Sequence, residues 1–119
     1  MRTKIDKADS LFSKYIKLRD NWTCTRCGTK YQEGDRGIHN SHYWGRGNEG
    51  TRFEPDNCTS LCYGCHRLWG HGDEKDLYKE WMIKKLGKRR FKSLEVQART
   101  YCKKDRKLAY LAIKELMKV

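Results

Sequence analysis

The sequence lacks long apolar segments and has few acidic residues to balance its basic ones. Its longest unbroken apolar run covers residues 108–113, far short of the roughly 20 residues that a membrane-spanning helix needs. No apolar run near the N-terminus resembles a signal peptide. We therefore expect a cytoplasmic protein without a membrane partner. Because that compartment is reducing, disulfides are disfavoured for the six cysteines.

The charge balance favours a polyanionic partner. Lysine and arginine number 27 against 15 acidic residues, which gives a formal net charge of +12. Such a surface attracts nucleic acid, and a purely solubilising surface is the alternative. Only 37% of the residues are hydrophobic, so the core must be small. A structural zinc ion, which contributes an apparent ~10–16 kcal/mol in finger-type peptides, would offset that shortage.

The pattern of apolar and turn residues predicts one α+β domain over residues 1–119, without repeats. A zinc-knuckle hairpin is expected at residues 22–31, a strand at 38–44, and helices at 9–20, 61–69, 73–86, 91–101 and 105–117. A polar loop at 45–57 holds the only proline, Pro55. Asp9 or Ser10 is expected to cap the first helix. The third helix is expected to begin at Asp73 and to end at Gly87.

Two helices carry apolar stripes that we expect to be buried. In the third helix, Leu77 and Trp81 fit the buried side best. Less closely in phase are Tyr78, Met82 and Leu86. The stripe of the last helix consists of Leu108, Leu111, Ala112 and Leu116. This second stripe either packs on the domain or forms a dimer contact.

Four cysteines form two Cys-x-x-Cys pairs, Cys24 with Cys27 and Cys62 with Cys65. This spacing lets both thiolates of a pair reach one ion, and four thiolates complete a closed tetrahedral site. A closed site leaves no position for water, so we expect a structural zinc ion, with disulfides or unrelated buried thiols as the alternative. The two remaining cysteines, expected to be a small buried residue and a bystander among lysines, are Cys58 and Cys102.

A histidine–asparagine–histidine series, His42, Asn57 and His66, accompanies these pairs. Phosphodiester hydrolysis needs a base for water, a cation for the phosphate and rigid positioning. Histidine suits the base, because its unperturbed pKa of about 6.5 leaves it largely neutral at physiological pH. A second histidine or an amide oxygen suits the cation, and an asparagine can also fix a loop.

This order of residues resembles the HNH endonuclease family, whose ββα-metal module has two strands, a connecting loop and a helix. The resemblance covers residues 20–70, with a helix before them and a basic helical extension at 71–119. It implies that His42 is the general base and that His66 binds a catalytic Mg²⁺ or Mn²⁺. It also implies that Asn57 holds the loop and contributes to that metal site.

The residue before the expected base departs from this family. Many HNH proteins carry an acidic residue or a histidine there as a second metal ligand, whereas this chain has Ser41. His39 would face the same side of an extended strand and is one replacement, and His71 is another. The departure leaves a second function open, a zinc-stapled nucleic-acid-binding protein without catalysis.

Further stretches resemble the NinG (Rap) recombination nucleases of lambdoid phages. These are residues 41–43, residues 51–57 and the helix that ends at Leu86-Gly87. The resemblance implies a bacterial host or phage-infected cell and branched DNA, such as a Holliday junction, as substrate. It also implies a homodimer, because symmetric resolution of a junction needs two active sites. Candidate contacts to the DNA backbone are Arg46, Arg52, Lys88, Arg89 and Arg90.

Overall fold

The computed structural model describes residues 4–118, without the side chain of His71. Within that part, one two-stranded sheet and five α-helices form a small α+β domain, so the predicted α+β class is confirmed. Helix α1 (Lys7–Arg19) precedes strands β1 (Ile38–His42) and β2 (Cys58–Cys62). The elements that follow are α2 (Tyr63–His66) with its π-helical continuation Arg67–His71, α3 (Lys75–Leu86), α4 (Lys88–Arg99) and α5 (Arg106–Leu116).

The sheet is an antiparallel pair in which Ile38 lies opposite Cys62 and His42 opposite Cys58. The residue pattern assigned no strand to residues 58–62 and placed the start of a helix at Leu61, although the HNH resemblance implies a second strand before the helix. Its first four residues are all buried, so the strand has no alternation of apolar and polar residues to signal it. A turn of 3₁₀ helix, Pro55–Asn57, leads into this strand.

Helix α1 begins two residues earlier than predicted, and its cap is Asp6 rather than Asp9 or Ser10. The Asp6 carboxylate accepts a hydrogen bond from the Asp9 backbone at 3.1 Å, and the Asp9 carboxylate accepts one from the Asp6 backbone at 2.9 Å. This reciprocal capping box satisfies two backbone donors at once. The other carboxylate oxygen of Asp9, Oδ1, faces the domain and accepts a hydrogen bond from Arg52.

Helix α3 buries three of the residues predicted for its buried side, but it exposes Leu77, one of the two that fitted that side best. Leu77 is 51% exposed, whereas the buried residues are Tyr78, Met82 and Leu86. The ring of Tyr78 stacks on Trp69 at 4.8 Å between centroids, and the Tyr78 hydroxyl lies 3.0 Å from Ser41 Oγ. Burial of this large ring and its polar tip sets the rotation of the helix. Gly87, with φ of 85°, ends the helix as predicted.

Helix α5 covers the N-terminal helix with a face other than the predicted stripe. Ile113 is buried against α1 in a cluster that includes Phe12 and Ile16. The residues predicted to pack on the domain are exposed instead, namely Leu108, Leu111, Ala112 and Leu116. The packing alternative for that stripe is therefore wrong, and the dimer contact stays a prediction. No described helix is both long and apolar enough to cross a membrane.

Candidate metal centres and catalytic cleft

The four predicted zinc cysteines come together at one end of the sheet. Their sulfur atoms, from Cys24, Cys27, Cys62 and Cys65, all lie within 4.8 Å of one another. The Sγ atoms of Cys27 and Cys62 are 3.9 Å apart. Four sulfurs at about 2.3 Å from one zinc ion would be separated by about 3.8 Å, so the cluster fits a closed tetrahedral site.

Backbone bonds of the first knuckle fix this cluster against β2. The Cys24 amide donates to the Thr29 carbonyl at 2.9 Å, and the Gly28 amide donates to the Cys24 carbonyl at 2.8 Å. Gly28 has a φ of +79°, which a residue with a side chain adopts only with strain. The Thr25 amide then donates to the Ser60 carbonyl at 3.0 Å, so the knuckle is tied to the strand.

The electrostatics of the cluster suit a bound cation. A hydrogen bond with the Thr29 hydroxyl lowers the pKa of the Cys27 thiol to about 6. Burial raises the pKa of Cys65 to about 12, although Arg26 donates to its sulfur at 3.3 Å. A divalent ion among the sulfurs would offset the cost of a buried thiolate. The same arginine pairs with Glu74 at 3.0 Å, which connects the knuckle to the start of α3.

Two histidines form a second candidate metal centre beside the zinc cluster. The Nδ1 atoms of His39, on β1, and His66, at the end of α2, are 3.0 Å apart. Two neighbouring ligands at ~2.1 Å from one octahedral ion are separated by about 3.0 Å, so the pair can hold a divalent cation. His66 follows Cys65 directly, and the zinc cluster therefore positions it. Burial lowers the pKa of His39, and nearby Lys17 lowers it further, which favours the neutral ligand form.

Two residues near the histidine pair, Ser41 and Gly70, limit which groups can bind a metal there and how the His66 ring fits. Ser41 cannot act as a ligand here, because it is fully buried and its hydroxyl is bonded to Tyr78. A Cβ atom at Gly70 would lie 2.8 Å from the His66 ring, so this glycine makes room for the imidazole. No pattern in the sequence signals that role of Gly70. The side chain of His71, the other sequence candidate, lies outside the described part of the structure.

The expected base, His42, is held in one orientation. Its Nε2 atom is 3.0 Å from the Arg52 carbonyl oxygen. Since a carbonyl only accepts, Nε2 carries the proton and Nδ1 keeps the lone pair. Phe12 packs beside the ring, with centroids 6.3 Å apart. Burial lowers the pKa of His42 to about 4, against the opposing effect of the Arg52 carbonyl, so this side chain is neutral at physiological pH.

Asn57 closes the loop that carries this carbonyl. Its amide oxygen accepts from the Trp44 backbone at 2.9 Å. Its amide nitrogen donates to the carbonyls of Trp44 at 2.9 Å and Thr51 at 3.2 Å. The side chain is fully buried, and Thr51 immediately precedes Arg52. Because its amide groups serve the backbone of the loop, the structure gives no support to the predicted metal-ligand role of Asn57.

The three histidines border one continuous cleft. A cavity of about 540 Å³ lies between α1 and β1, and His39, His42 and His66 line it. A smaller cavity of about 220 Å³ shares His42, His66 and Arg46 with the first. The arrangement places a neutral, oriented imidazole in the same cleft as a histidine pair suited to a divalent ion.

Comparison with known proteins gives a family for this chain. The family model described as the bacteriophage lambda NinG protein matches residues 1–118. The chain belongs to the NinG family. No curated protein and no solved structure matches it. Membership of NinG suggests a role related to phage recombination, and the cysteine cluster suggests that this member binds zinc.

One of the predicted DNA contacts of this NinG-family member is wrong. Arg52 is only 2% exposed, and its guanidinium forms an ion pair with Asp9 of α1. Its Nε atom donates to Asp9 Oδ1 at 2.8 Å, and another nitrogen donates to the Lys4 carbonyl at 2.9 Å. A guanidinium enclosed in this way cannot reach a phosphate. Arg52 instead ties the loop to α1 and so supports the carbonyl that orients His42.

The other predicted DNA contacts of the NinG chain lie at the surface. Arg46 lines both cavities of the cleft. Lys88, Arg89 and Arg90 are exposed at the start of α4 and line neither cavity. Arg90 pairs with Asp56, with Nε 3.3 Å from the carboxylate. All four remain candidates, and of these only Arg46 borders the histidines.

Proposed function

We propose that this NinG-family protein is a metal-dependent DNA endonuclease of the HNH type. It would hydrolyse phosphodiester bonds in recombination DNA, including branched forms such as a Holliday junction. The observation that carries the proposal is the presence of oriented His42 and the His39–His66 pair in one cleft. Family membership supports the recombination setting. The net charge of +12 supports a nucleic acid as substrate.

In this proposal His42 is the general base. Its Nδ1 lone pair takes a proton from a water molecule, and the water oxygen attacks the phosphorus in line with the leaving 3′-oxygen. The leaving oxygen takes a proton from solvent, which gives a 5′-phosphate and a 3′-hydroxyl. A phosphate bound in the cleft favours the protonated imidazole, so it raises the pKa of His42 towards the range useful for a base.

The His39–His66 pair would hold Mg²⁺ or Mn²⁺ in this mechanism. Such an ion, when bound, neutralises charge on the phosphate and on the leaving oxygen. The chain supplies the two imidazoles, the space beside Gly70 and the zinc-stapled start of α2. Asn57 keeps the loop closed and the Arg52 carbonyl in place.

The test compares wild type with His42→Ala and His42→Gln on linear, flapped and four-way-junction DNA, with and without Mn²⁺. We expect wild type to cleave only with the metal, and both variants to lose cleavage while they keep zinc and DNA binding. Glutamine can still donate to the Arg52 carbonyl, so this variant removes the base without removing the loop contact. Cleavage by either variant at the wild-type rate contradicts the assignment of the base.

A second function is a zinc-stapled nucleic-acid-binding protein without catalysis. The observation that favours it is the commitment of Ser41 to Tyr78, because the position before His42 then provides no metal ligand. If purified, zinc-loaded wild type binds DNA but nicks no DNA form with Mg²⁺ or Mn²⁺, this second function replaces the first.

A further inference from the structure

Besides Arg46, the cleft is bordered by three cations that the sequence pattern did not single out. Lys17 and Arg36 line the larger cavity, and Lys75 lines the smaller one. Arg46 lines both, as do His42 and His66. The basic side chains therefore lie on both sides of the histidines rather than in a single cluster.

Other groups offset the charge of these four cations only in part: Arg46 is attracted to Asp9, and Lys75 Nζ donates to the Tyr43 carbonyl at 3.1 Å. Among the described residues, none of them forms an ion pair with a carboxylate. Of the side chains that the structure describes, Asp9 is the only acidic one that lines either cavity, and Arg52 binds its carboxylate. Elsewhere in the fold, buried and half-buried arginines such as Arg52 and Arg106 are paired with acids. The cleft is thus a positively charged trough.

Lys17 illustrates why an anion would be favoured there. This side chain is half-buried between the Trp22 ring, whose centroid is 5.9 Å from Nζ, and the wall of the cavity. Burial lowers the pKa of Lys17, which means that the charged form has lost hydration without gaining an acidic partner. Ser10 and Ser13 line the same wall, and their hydroxyls can donate to phosphate oxygens.

We propose that the two cavities hold one DNA strand, with Lys17 and Arg36 on phosphates at one side of the scissile bond and Lys75 on a phosphate at the other. Arg46 lies between these groups, next to the scissile phosphate. The placement of the scissile bond between these cations rests on the proposed nuclease function. The binding of the strand itself does not require catalysis and can be tested separately.

The experiment measures DNA binding by zinc-loaded protein without added Mg²⁺ or Mn²⁺, at several salt concentrations, with a labelled single strand and a four-way junction. The variant is Lys17→Gln/Arg36→Gln, and its matched control is Lys79→Gln/Lys84→Gln. The control removes the same charge from exposed positions of α3 that line neither cavity. Each phosphate contact contributes about 0.7 to the slope of log affinity against log salt for a single strand.

We expect the cleft variant to lose about 1.4 from the slope on the single strand, since two contacts at about 0.7 each are removed. The loss should be similar for different sequences, because phosphate contacts do not read bases. The control should keep the wild-type slope. Equal slopes for wild type and the cleft variant, or an equal loss in the control, overturn the strand path.

A charge-preserving variant, Lys17→Arg/Arg36→Lys, separates lost contacts from a damaged fold. It should restore the slope, and failure to restore it in a protein with wild-type zinc content and melting temperature overturns the proposal. The outcome is independent of cleavage. If wild type cleaves DNA but the cleft variant keeps the wild-type slope, the strand path is rejected and the nuclease function stands. If the cleft variant loses slope but wild type never cleaves, the strand path stands and the nuclease function is rejected.

Discussion

The substitution Asn57→Asp separates the two roles that the sequence left open for this residue. A carboxylate is a better ligand for Mg²⁺ or Mn²⁺ than an amide, so a metal-binding Asn57 should tolerate the change. If Asn57 instead acts as a loop clamp, which holds the loop closed through its amide groups, the protein should not tolerate the change. The amide nitrogen donates to the carbonyls of Trp44 and Thr51, and a carboxylate would present a negatively charged oxygen to both.

The expected cost follows from the buried groups that the change affects. Two buried carbonyls lose their donor, at about 1–3 kcal/mol each. Protonation of the new side chain would restore one donor, but to hold a group of pKa ~3.9 protonated at pH 7 costs about 4 kcal/mol. We therefore expect Asn57→Asp to lower the free energy of unfolding by about 3–5 kcal/mol at pH 7. That is a large part of the 5–15 kcal/mol typical of a domain.

Urea unfolding of zinc-loaded protein at pH 7 and pH 5.5 provides the measurement. Burial raises the pKa of the introduced carboxyl above its unfolded value, so the folded variant binds more protons and its deficit should shrink as the pH falls. Asn57→Ala, which cannot titrate, is the matched control and should show no such recovery. The loop-clamp role is refuted if Asn57→Asp is as stable as wild type at pH 7 and binds Mn²⁺ more tightly.

Four further predictions follow from the same geometry. Removal of zinc, or Cys65→Ser, should unfold the domain, as circular dichroism and the zinc content of the protein will show. Arg52→Met should cost about 3–5 kcal/mol in urea unfolding, because it leaves a buried carboxylate unpaired, and an unchanged stability would contradict that pair. His39→Ala should weaken Mn²⁺ binding, measured by electron paramagnetic resonance, while the protein keeps its zinc. The loss should exceed the roughly 10–100-fold that is typical when a residue outside the ligand set is changed. NMR should show His42 neutral at pH 5.5. Because its folded pKa of about 4 lies below the unfolded ~6.5, stability should fall between pH 6.5 and 4 by up to about 1.4 kcal/mol per unit, and titration near 6.5 would refute this.

The sequence predicted the elements whose causes are local. The Cys-x-x-Cys spacing indicated the zinc cluster, and the four sulfurs do come together. The last helix was expected from residue 105, and Asp105 caps it. Gly87 ends α3 as predicted, because glycine adopts a positive φ without strain. Strand β2 escaped prediction, because a strand covered on both faces shows no alternating pattern.

Contacts between distant residues explain the errors. Arg46 and Arg52 look alike in the sequence, as two arginines of one polar loop. In the fold, Asp9 forms an ion pair with Arg52 and not with Arg46, so Arg52 is buried and Arg46 stays at the cleft. Likewise, the contacts of Tyr78 with Ser41 and Trp69 determine which face of α3 is buried, and they leave Leu77 exposed.

Spacing, composition and charge are properties of the chain alone, so they were enough to predict the four cysteines of the candidate zinc site, the family, the α+β class and the basic character of this protein. Which distant groups come into contact depends on the tertiary structure. It placed His39 against His66, set the Arg52 carbonyl against His42, and left the cations of the cleft without acidic partners. These juxtapositions arise from the packing of α1, the sheet and α2 against one another, and no local pattern of residues encodes them.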